Sequence, residues 1–274
     1  MSRSIRTLAA VLLLVPALSR ASPGPYDATI MTYNLWNYMG TSAADNARED
    51  DLAAVILSVA PDILVAQEIN GTVGYSHFLD DVLNQDNPDM YRGAPFINQD
   101  STDFDIALYY DPDVFSIVST REIELTSEYG QRDGVEFVME HLSTGTELIV
   151  YGVHLKAGSG FFDPEDEEER EAEASMLRDY LNELDPSTFF LVAGDYNVYR
   201  SDEGAFQRLT ESQQDNDGRL FDPINRPGEW HDNSSFADIH TQSSRGDFGG
   251  LDDRFDFLLV SSAVMDTNDV NVVP

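Results

Sequence analysis

Four runs of apolar, β-forming residues in this chain stop at a polar side chain. MTYNLW (31–36) reaches Asn34, and ILVAQE (63–68) reaches Glu68. VYGVH (150–154) reaches His154, and FLVAGDYN (190–197) reaches Asp195 and Asn197. A sheet holds its residues rigidly while the loop after each strand is free to vary, so strand ends are where α/β proteins place their chemistry. Asp195 and Asn197 are two apart, and an extended backbone directs both side chains the same way. Gly194 allows the backbone to turn or to approach a ligand closely.

The rest of the chain supplies partners for such strands. Residues 42–60 carry Leu52, Val55, Ile56 and Val59 at three-four spacing and predict a helix that Pro61 stops. Residues 164–184 predict a second helix with an acidic first turn that suits the positive end of its dipole. Short helices are expected at 75–84 and 203–210. Further strands are expected at 104–110, 114–120, 135–142, 147–155 and 254–262. Residues 212–250, rich in Gly, Asp and Ser, read as irregular. No repeat and no mid-chain linker divides the sequence, so one α/β domain with mixed sheets and helices outside is expected. The acidic run Glu165–Glu173 reads as a solvated helix face rather than a metal site.

The N-terminus is expected to stand outside this domain. MSRSIR is a basic lead, TLAAVLLLVPALS an apolar run, and Ser19-Arg20-Ala21 a small-x-small cleavage site. Residues 1–21 therefore read as a secretory signal, 22–27 as a linker and 28–274 as the domain, and the protein is expected to be extracellular. The apolar run is too short to span a bilayer comfortably. No stable membrane association and no protein partner is implied, and a monomer is expected. Cysteine is absent, which excludes disulfides, thiolate catalysis and Cys-based zinc sites. The formal net charge is −34, with 32 aspartates among 50 acids and a single lysine, Lys156, among 16 cations. Excess acid destabilises a compact state through self-repulsion, and high salt screens it. The balance reads as adaptation to high salt.

One glutamate with amide and carboxylate neighbours suits a hard cation, Mg²⁺ or Mn²⁺, with Ca²⁺ as an alternative. A histidine can hydrogen-bond a phosphoryl oxygen or carry a proton. An aspartate can orient or deprotonate water. Together these groups suit metal-assisted in-line hydrolysis at phosphorus. Singly, each also has a structural reading as a turn former or a solvated strand end.

MTYNLW, PDILVAQEI, VYGVHLKAG, LVAGDYNV and DDRFDFLLVSS, in this order, resemble the endonuclease/exonuclease/phosphatase superfamily with the deoxyribonuclease I-like fold. The resemblance implies a four-layer α/β/β/α sandwich of two mixed sheets. It implies Glu68 as the main metal ligand and Asn34 beside metal and phosphate. It casts His154 as the first histidine, bonding the scissile phosphate or serving the leaving group. Asp195 and Asn197 become the pair that positions nucleophile and phosphate. Asp256 becomes the support of a second, C-terminal histidine, with Arg254 preceding it. The S-D-H element that would carry this histidine does not follow Asp256, and a C-terminal truncation is expected. Lys156, in H-L-K, is expected beside the phosphate as a compact ammonium. The function implied is a secreted divalent-metal-dependent phosphodiesterase, a nuclease acting on DNA. The alternatives are a sphingomyelinase-like or small-phosphoester hydrolase, and a non-catalytic binding module. Net charge opposes a polyanionic substrate, unless Arg200, Arg208, Arg219, Arg226, Arg245 and Arg254 line one groove.

Overall fold

A computed structural model describes residues 11–16, 27–99, 104–125, 132–158, 163–242, 251–265 and 271–273. The elements in chain order are β1 (Val11–Pro16), β2 (Asp27–Tyr38), α1 (Ala43–Asn46), α2 (Glu49–Val59), β3 (Ile63–Ile69) and α3 (Gly71–His77), which runs on as a π-helical turn over Phe78–Leu83. Then come β4 (Arg92–Gly93), β5 (Asp105–Tyr110), β6 (Phe115–Ile123), β7 (Gly134–His141), β8 (Thr146–His154), α4 (Pro164–Leu181), β9 (Phe190–Asp195), α5 (Gly204–Thr210), β10 (Leu220–Phe221), β11 (Asp256–Ser261), α6 (Ser262–Met265) and β12 (Asn271–Val273).

The strands form two six-stranded sheets, ordered β12-β1-β2-β3-β5-β4 and β10-β11-β9-β8-β7-β6. Each contains one parallel pair, β2 with β3 and β8 with β9, among antiparallel neighbours. The parallel pairs explain the near-continuous apolar runs in the sequence, because such strands are covered on both faces. Ile30, Val65, Ile106, Phe137, Val150, Leu191 and Leu258 fill the space between the sheets. Leu52, Ile56, Phe78 and Val82 cover the outer face of the first sheet. Ala174, Leu177, Leu181, Phe206 and Leu209 cover the outer face of the second. The layers therefore run helix, sheet, sheet, helix, as expected. Gly152 lets the sheets approach, since a Cβ there would fall 2.5 Å from Ile106 Cγ2.

The expected helix over 42–60 is broken into α1 and α2 at Arg48, whose backbone (φ −123°, ψ −5°) leaves the helical region while its guanidinium binds the carbonyls of Leu35 and Trp36. Ala60 ends α2 in a left-handed conformation (φ 48°), and Pro61 follows. In α4, Asp163 caps the first turn by accepting from Glu165 N, with Pro164 at the first helical position.

Val11–Pro16, within the run expected to be a leader, lies antiparallel along β2, with Leu12 opposite Met31 and Leu14 opposite Thr29. An open edge of β2 would leave its backbone groups unpaired, and an apolar β-prone run satisfies them. The run Glu165–Glu173 differs from its expected reading as a solvated face, since Asp166 and Glu173 are buried against the segment after β8. Among the described residues no helix is long and apolar enough to cross a membrane.

Candidate active site

The site forms where the ends of β2 and β3 in one sheet meet the ends of β8, β9 and β11 in the other. His154 is in register with Asp195 across the parallel β8–β9 pair, and Asp195 with Asp256 across the antiparallel β9–β11 pair. Register alone thus lines up His154, Asp195 and Asp256. Gly194 makes the β8–β9 approach possible, because a Cβ there would lie 1.9 Å from Val153 O.

Asn34 joins the two sheets. Its Nδ2 donates to Glu68 Oε1 at 3.0 Å and to Asp195 Oδ2 at 2.9 Å, while its Oδ1 accepts from Trp36 N at 2.8 Å. The backbone N–H of Trp36 fixes which end of the amide faces the carboxylates. Asn34 therefore bridges two acids through its nitrogen, beside Glu68, the residue expected to hold the metal. Glu68 also accepts from Asn37 N through Oε2 at 2.7 Å. Its own backbone is left-handed at φ 60°, an uncommon state for a residue with a side chain and one that clusters at functional sites.

Asp195 accepts from Asn197 N at 3.0 Å through Oδ1 and from Gln242 Nε2 at 2.8 Å through Oδ2. Gln242 Nε2 also donates to Asp256 Oδ2 at 2.9 Å, so one amide bridges two buried carboxylates. Asp256 Oδ1 and His154 Nδ1 are buried with no hydrogen-bond partner. His154 Nε2 is 4.0 Å from Glu68 Oε1 and 3.8 Å from Asp195 Oδ2, beyond hydrogen-bond reach. Asn197 lies at the same rim, with its Nδ2 on Leu155 O.

Arg132 brings positive charge into this cluster. Its Nε and Nη2 donate to the carbonyls of His154 and Leu155 at 3.0 and 3.1 Å. Burial raises the pKa of Glu68, Asp195 and Asp256, and each is acted on by a neighbouring acid or by Arg132. Burial lowers that of His154, and Arg132 lowers it further, so the imidazole is neutral. Three desolvated carboxyl groups face one guanidinium, with an orphaned oxygen on Asp256, and a cation among them would favour their ionised forms. That donor set fits a divalent cation, with Glu68, whose side chain is 16% exposed, as the residue that would hold it. Among the described residues, no three His, Asp or Glu side chains are arranged as an all-protein metal cage. Magnesium sites with one or two carboxylates plus water and substrate oxygens need no such cage.

Several expected residues lie elsewhere. Lys156 turns its ammonium onto Asp166 and Glu169 of α4, the latter at 3.0 Å, so it is an anchor for the helix. Arg254 is buried, paired with Asp222 through two 2.8 Å bonds and stacked 4.2 Å from the Phe257 ring centroid. Its guanidinium is committed to packing rather than phosphate. The arginines expected to line a groove are also engaged. Arg200 pairs with Glu167, Arg208 with Glu171 and Arg226 with Asp238, while Arg219 donates to Thr210 O. Arg245 lies outside the described residues. His240, which was not expected in the site, bonds the carbonyls of Trp230 and Leu251.

Sequence reasoning missed Arg132 and Gln242. Both sit in irregular segments, Arg132 before β7 and Gln242 at the bridge to Asp253, where no periodicity points at them. The structure shows what places Gln242: its neighbour Thr241 ties the segment to the start of β11, its hydroxyl accepting from the Phe255 and Asp256 backbone N–H groups.

Comparison with known proteins agrees with this geometry. The model of the Endonuclease/Exonuclease/phosphatase family matches residues 31–269. No curated protein matches the sequence. Among solved structures, a humanized D. rerio TDP2 is 13% identical with a TM-score of 0.60, over 86% of this chain and 84% of that one. The human Nocturnin catalytic domain with bound sulfate is 19% identical with a TM-score of 0.53, over 79% and 75%. The mannosyl-6-phosphatase of Bacteroides thetaiotaomicron is 16% identical with a TM-score of 0.58, over 86% of each chain. At these identities the likeness is one of fold. The family match runs from β2 past β11 and so takes in every strand end that builds the site, and on it the chain belongs to the Endonuclease/Exonuclease/phosphatase family, whose members act on phosphoester bonds.

Proposed function

We propose that this chain is a divalent-metal-dependent phosphodiesterase that cleaves nucleic acid outside the cell and works in high salt. The observation that carries the reading is the convergence of Glu68, Asp195 and Asp256, desolvated and bridged by Asn34 and Gln242, beside neutral His154 and cationic Arg132. Glu68 would hold a divalent ion, which when bound would neutralise charge on the phosphoryl oxygens. Asp195, fixed by three hydrogen bonds, orients the attacking water and takes its proton. Neutral His154 offers an N–H to a phosphoryl oxygen, and either ring nitrogen can carry that proton. Arg132 adds positive charge where negative charge accumulates. Nucleic acid is favoured as the substrate because a structure of similar fold, D. rerio TDP2, is complexed with single-strand DNA product. Export rests on the basic-apolar-small pattern of residues 1–21.

The test is cleavage of labelled oligonucleotides with Mg²⁺ or Mn²⁺ in molar KCl, with and without EDTA. Cleavage that EDTA abolishes is expected, and Glu68→Gln is expected to lose at least 100-fold in kcat/KM, as removal of a central catalytic electrostatic group typically does. A folded, metal-binding protein inert on oligonucleotides would remove the nuclease reading.

A further inference from the structure

Among the described residues, Val55, Val118 and Leu142 are exposed singly, whereas Trp36 (48% exposed) at the end of β2, Met39 (42%) just after it and Val73 (59%) in α3 after β3 follow the strands carrying Asn34 and Glu68. These segments are tied together, with Asn70 N donating to Tyr38 O at 2.8 Å and Asn70 Nδ2 to Asn37 Oδ1 at 3.3 Å. A Cβ on Gly74 would fall 2.6 Å from Tyr38 O, so the contact is close. Single exposed apolar residues need no explanation, but a group of them at the mouth of a site points to a ligand.

The indole is held firmly. Trp36 and Asn37 both adopt left-handed backbone, φ 50° and 51°, a costly state for residues with side chains. Arg48 binds the carbonyls of Leu35 and Trp36 and lays its guanidinium 5.9 Å from the Trp36 ring centroid. Asp45 holds Arg48 in turn at 2.6 Å. The same residue whose side chain is exposed donates its N–H to Asn34 Oδ1, so the platform is geometrically coupled to the bridge between Glu68 and Asp195. Left-handed backbone and the Arg48–Asp45 pair thus hold a side chain that stays half exposed one hydrogen bond from the site.

We propose that Trp36 is a stacking platform for a nucleobase next to the scissile phosphate, with Met39 and Val73 extending the lip, so that the site takes unpaired, single-stranded nucleic acid. This rests on the phosphodiesterase reading above and names its substrate. The chemistry follows from charge. A protein of net charge −34 gains little from phosphate contacts, and salt weakens those further. Stacking on an aromatic face needs no net positive surface and tolerates any base, because every base has a π-face. A base inside a duplex already has both faces covered, which selects unpaired strands.

The test compares an oligothymidylate with an oligomer of equal length whose residues beside the cleaved bond are abasic. The wild type is expected to prefer the base-bearing strand by roughly 10- to 100-fold in kcat/KM, the range that 1–3 kcal/mol of stacking gives. Trp36→Ala is expected to bring that ratio near one, and Trp36→Phe to keep part of it. Independently of turnover, in EDTA the oligothymidylate is expected to quench the exposed Trp36 fluorescence, leaving buried Trp230 as the residual signal, and Trp36→Phe to abolish the quench. Equal use of both strands by an active wild type, or a preference that survives Trp36→Ala, overturns the platform and leaves the phosphodiesterase reading standing. If neither strand is cleaved, that reading fails, and the quench alone decides the platform. Quenching by sphingomyelin vesicles but not by oligonucleotide also overturns the proposal.

Discussion

Gln242 shows how much one neutral side chain can decide. Its amide nitrogen lies between Asp195 Oδ2 and Asp256 Oδ2, two acids whose backbones are paired directly across β9 and β11. Without that nitrogen, two buried carboxylates would face one another, with Asn34 and the backbone N–H of Asn197 left to bind Asp195 and neither of them reaching Asp256. Removal of such outer supports typically costs 10–100-fold in activity. Gln242→Leu is therefore expected to lower kcat on an oligonucleotide by about 10- to 100-fold while KM moves less than about threefold. Gln242→Asn, one methylene too short to span both acids, is expected to recover little. Steady-state kinetics on the two variants, with far-UV circular dichroism to confirm folding, check this, and an unchanged kcat in Gln242→Leu removes the positioning role. Asn34, Glu68, His154, Asp195 and Asn197 could be picked out in the sequence because each lies at the end of an apolar run, and Asp256 was added by the family resemblance. Gln242 and Arg132 were not, since an irregular segment carries no period that tells a reader where its side chains point.

At the level of elements, the strands were legible and the contacts of α4 were not. Apolar runs fix where β2, β3, β8, β9 and β11 lie, and register then aligns the site. The acidic first half of α4 reads as solvated by composition alone, yet the loop after β8 docks onto it. Glu173 Oε2 accepts from Lys156 N at 2.8 Å, Lys156 Nζ meets Asp166 and Glu169, and Arg170 reaches Lys156 O at 3.1 Å. Lys156 was placed at the phosphate because it follows His154 closely in sequence. It faces away because the chain after His154 turns toward α4. Burial pushes the Glu173 carboxyl up to about 7, with Glu169 adding to the shift and Lys156 N, Arg132 and Arg170 opposing it. The sign follows from proton uptake. Between an ordinary carboxylate pKa and about 7 the folded protein holds a proton that the unfolded chain has released, so this group's contribution to stability falls as pH rises through that window. At one pKa unit per 1.36 kcal/mol, the whole effect is about 3 kcal/mol. Glu173→Gln keeps an oxygen to accept from Lys156 N and removes the charge. It is expected to be more stable than wild type at pH 8 and equal to it near pH 4.5. Denaturant melts at both pH values read this directly, and a difference independent of pH would show that Glu173 is not the group responsible.

The whole molecule carries a charge that its own ion pairs cannot offset. Sixteen cations stand against 50 acids. Many of the cations are spent locally, Arg121 on Glu136, Arg170 on Glu203, Arg254 on Asp222 and Lys156 on α4. Three further acids crowd the buried site. The remaining carboxylates repel one another across the surface, and they do so more in the compact state than in the expanded one. The remedy available to such a chain is screening. The Debye length falls from about 10 Å at 0.1 M salt to about 3 Å at 1 M, which takes it below the spacing of neighbouring surface charges. Stability is therefore expected to rise steeply with KCl up to about 1 M and then to flatten, with Tm gaining on the order of 10 °C if screening relieves a few kcal/mol. The shape of the curve identifies the cause. Screening saturates once the Debye length is shorter than the charge spacing, whereas exclusion of salt from apolar surface keeps adding stability in proportion to concentration. Calorimetric melts from 0.05 to 3 M KCl, repeated in sucrose, separate the two. A steep early rise absent from sucrose marks charge screening as what holds this acidic sandwich together, and a flat or falling Tm in KCl would show that its core and local ion pairs suffice without it.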